Sequence, residues 1–326
     1  MVSFMGPSEF DVIKKYFTFA DKREDVILAG GDDCAIVDIP TGSQLLVTTD
    51  TLISGVHFPE QTSAEDIAYK ALMVNLSDLA AMGATPAWVT LAISLPVIDE
   101  VWISAFSAQL KTVLKDFNVS LIGGDITRGP LSITVQAMGL ADKNQILRRD
   151  KAELDEKIFV TGFLGDAAIG LQAIEDELND EKLSHCIERL NRPVAHIEFA
   201  EQLHRFSNCA IDVSDGLLAD LGHILRASDC GAIIRLADIP ISSSAKYYFE
   251  KYNDNIIDWS MLLSRGDDYE ICFTAKKDDH HALTALAEQR GLKLSCIGAT
   301  SASKGIICFD KNGRRLLFSK DGFKHF

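Results

Sequence analysis

Apolar runs alternate with turns rich in glycine and aspartate along the chain, and the runs have the lengths of strands and helices in turn. In the first half this pattern predicts strands at residues 44–49, 88–95, 119–122 and 131–140, and helices at 63–83 and 101–117. We expect Gly123-Gly124 to end the third of these strands, because glycine weakens a strand interior.

Residues 142–156 are polar and charged and show no clear period, as is typical of a linker. The sequence therefore predicts two domains, at 1–141 and 142–326. In the second domain we expect strands at 157–161, 232–236 and 270–274, helices from 166 and at 193–205, 217–228 and 280–290, and a last hairpin around Asn312-Gly313. This alternation predicts an α/β or α+β class with mixed sheets.

Composition narrows the class of protein. With 47% hydrophobic residues the chain can bury a sizeable core, and its net charge of −15 without a basic run argues against nucleic-acid binding. Glycine and proline interrupt the longest uncharged stretch, residues 80–98, so no membrane span is expected. Seven cysteines without a Cys-x-x-Cys pair and no basic-apolar leader favour reduced thiols in a cytoplasmic protein.

Short acidic loops are the main chemical feature of the sequence. Most of them place Asp beside Gly, Ser or Thr, and they lie at residues 30–35, 48–51, 75–78, 123–129, 212–216 and 266–270. One such loop alone predicts only a turn or a helix N-cap. Asp, Ser and Thr nevertheless supply the hard oxygen ligands that Mg²⁺ prefers, whereas His and Cys show no zinc-ligand spacing.

Two of these acids are hard to explain as turn residues. Asp50 stands at the end of an apolar strand, where α/β sheets bind ligands, and Asp78 lies in a helix that is apolar nearly all round. Two carboxylates 4 Å apart repel by about 4 kcal/mol at an effective dielectric near 20, and a divalent cation removes that cost. If the loops meet in space, we therefore expect a metal site suited to phosphoryl transfer.

Positively charged candidates are few. Arg128 follows one acidic loop, and Arg148 and Arg149 lie in the linker, where either could hold a phosphate group. The chain contains no Gly-x-x-x-x-Gly-Lys-Ser/Thr and no Gly-x-Gly-x-x-Gly after a strand. P-loop enzymes, dinucleotide folds and protein kinases are therefore disfavoured.

Six ordered motifs together resemble one family over essentially the whole length. They are Gly31-Asp32-Asp33-Cys34-Ala35, Thr48-Thr49-Asp50-Thr51-Leu52, Val56-His57-Phe58, residues 69–84 around Asn75-Leu76-Ser77-Asp78, residues 121–129 around Gly123-Gly124-Asp125, and residues 211–217 around Asp212-Val213-Ser214-Asp215-Gly216. The chain resembles the thiamine-monophosphate kinases of the aminoimidazole ribonucleotide synthetase superfamily. The resemblance implies a two-domain fold of that superfamily and a homodimer in which the N-terminal sheet pairs with its copy.

The resemblance also implies a reaction and a set of site residues. ATP would phosphorylate thiamine monophosphate by direct in-line transfer, giving thiamine diphosphate and ADP, with several Mg²⁺ ions and no covalent nucleophile. The implied metal ligands are Asp33, Thr48, Thr49, Asp50, Asp78, Asp125, Asp212 and Asp215. Implied ATP contacts are Gly124, Asp125, Arg149 and Ser214, and implied thiamine-monophosphate contacts are His57, Asp267 and Phe323. The implied domain roles are ATP, Mg²⁺ and dimer contacts for 1–141, and a flank of the active-site cleft for 142–326.

The chain departs from the family pattern at the implied acceptor site. Arg265-Gly266-Asp267 stands where the family often has Gly-Gly-Glu, and Phe323 stands where it often has Tyr or Trp. Other enzymes of the superfamily stay open as alternatives: a selenophosphate synthetase, an amidine-ring synthetase or a hydrogenase-maturation protein. A non-catalytic nucleotide or metal sensor is the alternative from a different class.

Overall fold

The chain folds into two compact units in the computed structural model, which describes residues 8–19 and 22–318. Unit 1 comprises Met1–Leu79 and Ala84–Lys143, and unit 2 comprises Ala80–Gly83 and Asn144–Phe326. Both contain helices and mixed sheets, so the expected mixed α/β class is confirmed.

Unit 1 is built on a four-stranded mixed sheet of order β3-β6-β4-β5. Its elements are α1 (Glu9–Tyr16), β1 (Val26–Leu28), β2 (Ile36–Val37), β3 (Ser43–Ile53), α2 (Ala64–Ala81), β4 (Thr85–Leu95), α3 (Glu100–Asp116), β5 (Ser120–Arg128) and β6 (Ser132–Asp142). β4 and β5 run parallel, while β6 is antiparallel to both β3 and β4. The short strands β1 and β2 form a separate ribbon.

Strand β3 has two different faces, because side chains alternate along a strand. Leu46 and Leu52 are buried on one face, together with the half-buried Thr48 and Asp50. The other face is open, and Leu45, Val47 and Ile53 on it are 41%, 53% and 40% exposed. A polar site and an exposed apolar strip therefore share one strand.

The expectation that Gly123-Gly124 ends a strand is wrong, since β5 continues through both residues to Arg128. Gly124 pairs with Leu91 of the parallel strand β4. A Cβ atom at Gly124 would lie 2.1 Å from the Leu91 carbonyl oxygen. Glycine is needed here for close approach of two backbones rather than for chain reversal.

Helix α2 begins and ends near the predicted bounds. The Ser63 hydroxyl accepts a hydrogen bond from the Asp66 N–H at 3.1 Å, which caps the first turn. The helix is buried nearly all round, including the polar residues Lys70, Asn75 and Ser77. Such buried polar side chains require partners, and those of Lys70 and Asn75 lie in the candidate site described below.

Unit 2 contains a seven-stranded sheet of order β13-β12-β9-β11-β7-β10-β8. Its elements are β7 (Lys157–Thr161), α4 (Asp166–Glu175), α5 (Ser184–Asn191), α6 (Ile197–Leu203), β8 (Cys209–Val213), α7 (Leu217–Ala227), β9 (Gly231–Arg235), α8 (Ser243–Tyr252), α9 (Trp259–Ser264), β10 (Glu270–Ala275), α10 (His280–Gln289), β11 (Leu294–Ser301), β12 (Gly305–Phe309) and β13 (Arg315–Leu316). Only the β9–β12 pair is parallel among the pairs described. The sequence pattern did not predict β8, α5, α8, α9 and β11, and the helix expected at 193–205 is the shorter α6.

Three loops of unit 2 meet at one end of its sheet. β10 is antiparallel to both β7 and β8, so the chain after β7, the chain after β8 and the chain before β10 emerge together. We call residues 162–165, 214–216 and 265–269 the loop end of unit 2. Helices α4 and α7 begin directly after the first two of these loops.

All seven cysteines are free thiols, and five of them are buried. No helix in the described part of the chain is long and apolar enough to cross a membrane. Residues 80–98, the longest uncharged stretch, form the end of α2, a turn and strand β4, as the pattern predicted.

Candidate functional site

Three of the predicted metal ligands come together in unit 1, where β3 faces α2. The Thr48 hydroxyl donates a short hydrogen bond to the Asp78 carboxylate. The backbone N–H of Asp50 donates to the side-chain oxygen of Asn75 at 3.1 Å. Burial, followed by the negative charge of Asp78, raises the pKa of Asp50 to about 6. Asp50 and Asp78 therefore repel each other within a partly dehydrated pocket.

Asp78 is more accessible than its place in a helix that is apolar nearly all round would suggest. Asp78 is only half-buried, whereas its polar neighbours Asn75 and Ser77 are fully buried. Asn75 uses its amide nitrogen on the Ala71 carbonyl, at 3.0 Å, and its oxygen on Asp50. Asn75 thus ties the helix to the strand, and Asp78 keeps access to solvent.

The donor set of this pocket fits Mg²⁺ in chemistry. Asp50, Asp78 and Thr48 offer hard oxygen atoms, and Mg²⁺ usually takes one or two carboxylates and completes its shell with waters and substrate phosphates. The raised pKa of Asp50 marks an electrostatic cost that a divalent cation would remove. Among the described residues, however, no group of three or more His, Cys, Asp or Glu side chains is arranged to hold a metal ion.

The remaining candidates of unit 1 are placed differently. Asp125 pairs with Ala92 in β5, at the edge of the sheet opposite to β3, about 14 Å away by three strand spacings. Strand register puts Asp125 and Thr49 on the open face, opposite to Thr48 and Asp50. Asp33 is exposed in the loop that precedes β2. The metal roles of Asp33, Thr49 and Asp125, and the ATP contacts of Gly124 and Asp125, stay predictions.

His57 lies in a tight turn directly after β3. The N–H groups of residues 56 and 57 both donate to the Ile53 carbonyl, and the Ile53 N–H donates to His57 Nδ1 at 3.0 Å. A neutral ring then carries its proton on Nε2. Lys70, only 2% exposed, donates through Nζ to the His57 carbonyl at 3.1 Å. A buried cation of α2 therefore holds the turn that presents His57.

In unit 2 the structure brings the Asp212–Asp215 segment beside Asp267. Asp212 is buried in strand β8, one residue before the strand ends, and Ser214 and Asp215 follow in the loop. The Asp267 N–H donates to the Ser214 carbonyl at 2.8 Å. A predicted ATP residue and a predicted acceptor residue thus lie on two loops that hydrogen-bond to each other.

The side chain of Asp220 in α7 holds the Ser214–Asp215 loop through a hydrogen bond. Its carboxylate is buried and accepts the Asp215 N–H at 3.0 Å. Burial, then the charge of Asp215, raises the pKa of Asp220 to about 7. Gly216 has a φ of 109°, and a Cβ atom there would meet Ser264, so the turn accepts only glycine.

The two linker arginines have different surroundings. The guanidinium of Arg148 forms a two-point ion pair with Asp150, at 2.9 and 2.8 Å. In the part of the chain that the structure describes, Arg149 forms no ion pair. His223 has a pKa lowered by burial and then by Arg226 and Arg149, while Asp215 opposes the shift. Arg149 therefore lies in the electrostatic neighbourhood of the Asp212–Asp215 loop.

Several supporting residues were not found from the sequence: Lys70, Asn75 and Asp220. Each is polar within a largely apolar helix, which is the signal that identified Asp78, but a polar residue in a helix does not reveal its distant partner. Phe323, the third predicted acceptor contact, lies outside the described residues.

Comparison with known proteins identifies the family. The AIR synthase related protein family matches with its N-terminal domain over residues 31–141 and with its C-terminal domain over residues 155–311. The thiamine-monophosphate kinase of Escherichia coli (strain K12) is 43% identical over 326 residues, which is 99% of each chain. The chain belongs to the thiamine-monophosphate kinase family.

Solved structures of the thiamine-monophosphate kinase family match as well. The enzyme from Stenotrophomonas maltophilia K279a is 43% identical, with a TM-score of 0.83 over 90% of this chain and 93% of that chain. AaThiL complexed with AMPPCP and TMP is 29% identical, with a TM-score of 0.77 over 97% of this chain and 96% of that chain. The superfamily fold expected from the motifs is therefore confirmed.

The repulsion between Asp50 and Asp78 should lower the stability of the folded chain in a way that depends on pH. In the folded, metal-free chain the pKa of Asp50 is about 6, against 3.8 for the isolated group. Asp50 binds its proton more tightly in the folded chain than in the unfolded chain. The free-energy cost of a charged Asp50 is therefore absent near pH 4 and fully present above about pH 7. At about pH 8, Asp50→Asn should raise the free energy of unfolding by about 1–3 kcal/mol, and the thermal midpoint should rise with it. Near pH 4 the substitution should leave both unchanged.

The measurement is thermal unfolding in chelator at both pH values. Asp38→Asn, an exposed acid of the same unit, is the matched control and should change neither midpoint. Mg²⁺ should then raise the wild-type midpoint more than that of Asp50→Asn, because the cation relieves a repulsion that the variant lacks. Equal effects of Asp50→Asn at both pH values would contradict the proposed charge repulsion.

Proposed function

We propose that this chain is a thiamine-phosphate kinase that transfers the γ-phosphoryl group of ATP to thiamine monophosphate. The proposal is carried by the mutually repelling carboxylates Asp50 and Asp78, with Thr48 hydrogen-bonded to Asp78, in a chain whose full-length relatives are named thiamine-monophosphate kinases. AaThiL has been crystallised with AMPPCP and TMP, which supports the same pair of substrate classes. Thiamine diphosphate and ADP are the products.

The reaction needs positioning and charge neutralisation more than covalent help from the protein. A phosphate oxygen of thiamine monophosphate attacks the γ-phosphorus, and the bond from that phosphorus to the β–γ bridging oxygen breaks as ADP leaves. Bound Mg²⁺ would supply neutralisation of the phosphate oxygens. Thr48, Asp50 and Asp78 are the ligands of unit 1 that support it best, with Asp33, Thr49 and Asp125 as further proposed ligands.

Unit 2 supplies groups for the phosphates in this proposal. Asp212 and Asp215 are further proposed ligands, and Ser214 and Arg149 contact ATP. Helices α4 and α7 both begin at the loop end of unit 2, and helix N-termini favour anions. His57, Asp267 and Phe323 contact the acceptor, and an aromatic ring such as Phe323 could lie against the cationic thiazolium. The free thiols support a cytoplasmic location.

Two of the alternatives make different demands on the chain. A selenophosphate synthetase would need a catalytic cysteine in a basic setting, and Cys34 is exposed beside Asp32 and Asp33 instead. A non-catalytic nucleotide sensor would bind ATP without forming product, so turnover separates it from a kinase.

The direct test is formation of thiamine diphosphate from ATP, Mg²⁺ and thiamine monophosphate. Asp78→Asn should lower kcat by about two orders of magnitude or more, because it removes a charged ligand from the phosphoryl site, while the variant stays folded by circular dichroism. Asp116→Asn, an exposed acid at the end of α3, serves as the control. A folded wild-type chain without product would exclude the kinase, and near wild-type turnover of Asp78→Asn would make Asp78 structural.

The linker arginines form a second, matched test. Arg149→Ala should raise the KM for ATP about tenfold, the loss expected for one charge-assisted hydrogen bond to phosphate. Arg148→Ala should leave that KM nearly unchanged, since Asp150 already holds the Arg148 guanidinium. Initial rates at varied ATP decide between them, and the opposite ranking would assign the ATP contact to Arg148.

We also propose that the chain forms a homodimer through the open face of β3. This strand lies at the edge of its sheet and exposes Leu45, Val47 and Ile53 on one face, on either side of Thr49 and Thr51, and long exposed apolar edges are normally covered. Leu45→Lys should therefore convert a dimer into a monomer in sedimentation velocity. Val101→Lys, at the most exposed apolar residue of α3, should not, and a monomeric wild-type chain would refute the dimer.

A further inference from the structure

The turn that carries Asp267 has an unfavourable backbone. We call residues 265–269 the acidic turn. Within it Gly266, Asp267 and Tyr269 all have left-handed φ angles, of 75°, 66° and 52°. This conformation is strained for a non-glycine residue, and a bulky side chain such as that of Tyr269 adopts it only where its surroundings enforce it. The contacts around the acidic turn must therefore determine its shape.

Hydrogen bonds hold the turn from two sides. The N–H groups of Asp267 and Tyr269 donate to the carbonyl oxygens of Ser214 and Val213, each at 2.8 Å. On the other side the Asp268 carboxylate, 4% exposed, accepts the Gly165 N–H at 2.9 and 3.0 Å. Burial raises the pKa of Asp268 well above its usual range, although the Gly165 N–H opposes the shift.

Arg189 joins this turn to the sheet. It lies on α5, and its Nη2 donates both to the Asp268 carbonyl, at 3.3 Å, and to Glu270 Oε1, at 3.1 Å. One guanidinium nitrogen therefore bridges the main chain of the acidic turn and the first side chain of β10. Arg189 is distant from both partners in sequence, so the link depends on where α5 packs.

Both carboxylate oxygens of Glu270 have hydrogen-bond partners, and Arg189 is one of them. It is 3% exposed, and its Oε2 accepts from the Thr161 hydroxyl and lies against His196 Nε2, both at 2.6 Å. Burial favours the neutral acid, but His196, Arg189 and Thr161 outweigh it, so the pKa of Glu270 lies below its usual value. A Cβ atom at Gly162 would lie 2.1 Å from Glu270 Oε1, so glycine there makes room for the carboxylate.

We infer that Arg189 is a positioning residue for the phosphate acceptor, acting through Glu270 and the Asp268 carbonyl on the backbone of Asp267. The inference rests on the proposed function, in which Asp267 contacts thiamine monophosphate. A buried ion pair contributes little net stability compared with a well-packed apolar replacement, but its geometry is specific. A guanidinium that binds the main-chain oxygen of Asp268 restricts the residue that follows Asp267, and through it the backbone that carries the Asp267 side chain.

Steady-state kinetics test the inference with three variants. Arg189→Lys keeps the charge, but its shorter side chain ends before the position of Nη2, from which Arg189 reaches both acceptors, and Arg189→Met removes the charge. The KM for thiamine monophosphate should rise about tenfold in Arg189→Lys and further in Arg189→Met, while the KM for ATP stays within about twofold. Arg235→Met removes an exposed ion pair with Asp238 in the same unit and should change neither KM.

The outcomes separate positioning from general stability. A folded Arg189→Lys with unchanged acceptor KM, or with both KM values raised in parallel, would overturn the inference. Removal of one partner of a buried pair is strongly destabilising, so Arg189→Met could fail to fold, and Arg189→Lys then decides alone.

Amide hydrogen exchange provides a readout that is independent of turnover. In Arg189→Lys the Asp267 and Tyr269 amides should exchange about tenfold faster, while the Phe159 amide in the interior strand β7 stays unchanged. If the wild-type chain makes no thiamine diphosphate, the proposed function is wrong, and exchange alone decides whether Arg189 holds the acidic turn. Unchanged exchange at both amides would show that it does not.

Discussion

Burial of carboxylates is the constraint on which both candidate sites depend. A carboxylate removed from water needs hydrogen-bond donors or a cation, and each unit meets this need differently. In unit 2, Glu270 has Arg189, His196 and Thr161 around it. In unit 1, Thr48 donates to the Asp78 carboxylate and the Asp50 N–H donates to Asn75, while burial and then the charge of Asp78 raise the pKa of Asp50. The first arrangement is complete without a ligand, whereas the second is suited to bind a cation.

The two arrangements also have different consequences for the backbone. In unit 1 the polar residues sit on regular elements, a strand and a helix joined by Asn75 and Thr48, so the geometry follows from secondary structure. In unit 2, Asp212 lies in strand β8, whereas Ser214, Asp215 and Asp267 lie on turns that contain left-handed residues, and the buried carboxylates of Asp220 and Asp268 accept backbone N–H groups from the surrounding loops. Loops that bind ligands on a rigid scaffold commonly need such support.

Much of the fold could be predicted from periodicity, and the failures have physical causes. The apolar strand at 44–49 and the helix from Ser63 were recognised because one element dominates each local pattern. β5 was expected to end at Gly123-Gly124, since no local signal reports that a neighbouring strand needs glycine for close approach. α5 and α9 have only 8 and 6 residues, so they lack a long enough repeat to be distinguished from loops.

The sequence by itself determined which residues could do the chemistry, because acids beside glycine and an acid in an apolar helix are visible without coordinates. The motif order also determined the family. Only the tertiary structure decided that Thr48, Asp50 and Asp78 meet while Asp125 lies at the opposite edge of the sheet, because strand order is set by long-range pairing. It also decided that Arg189 reaches Glu270 across 81 residues of chain, since helix packing rather than local pattern brings those side chains together.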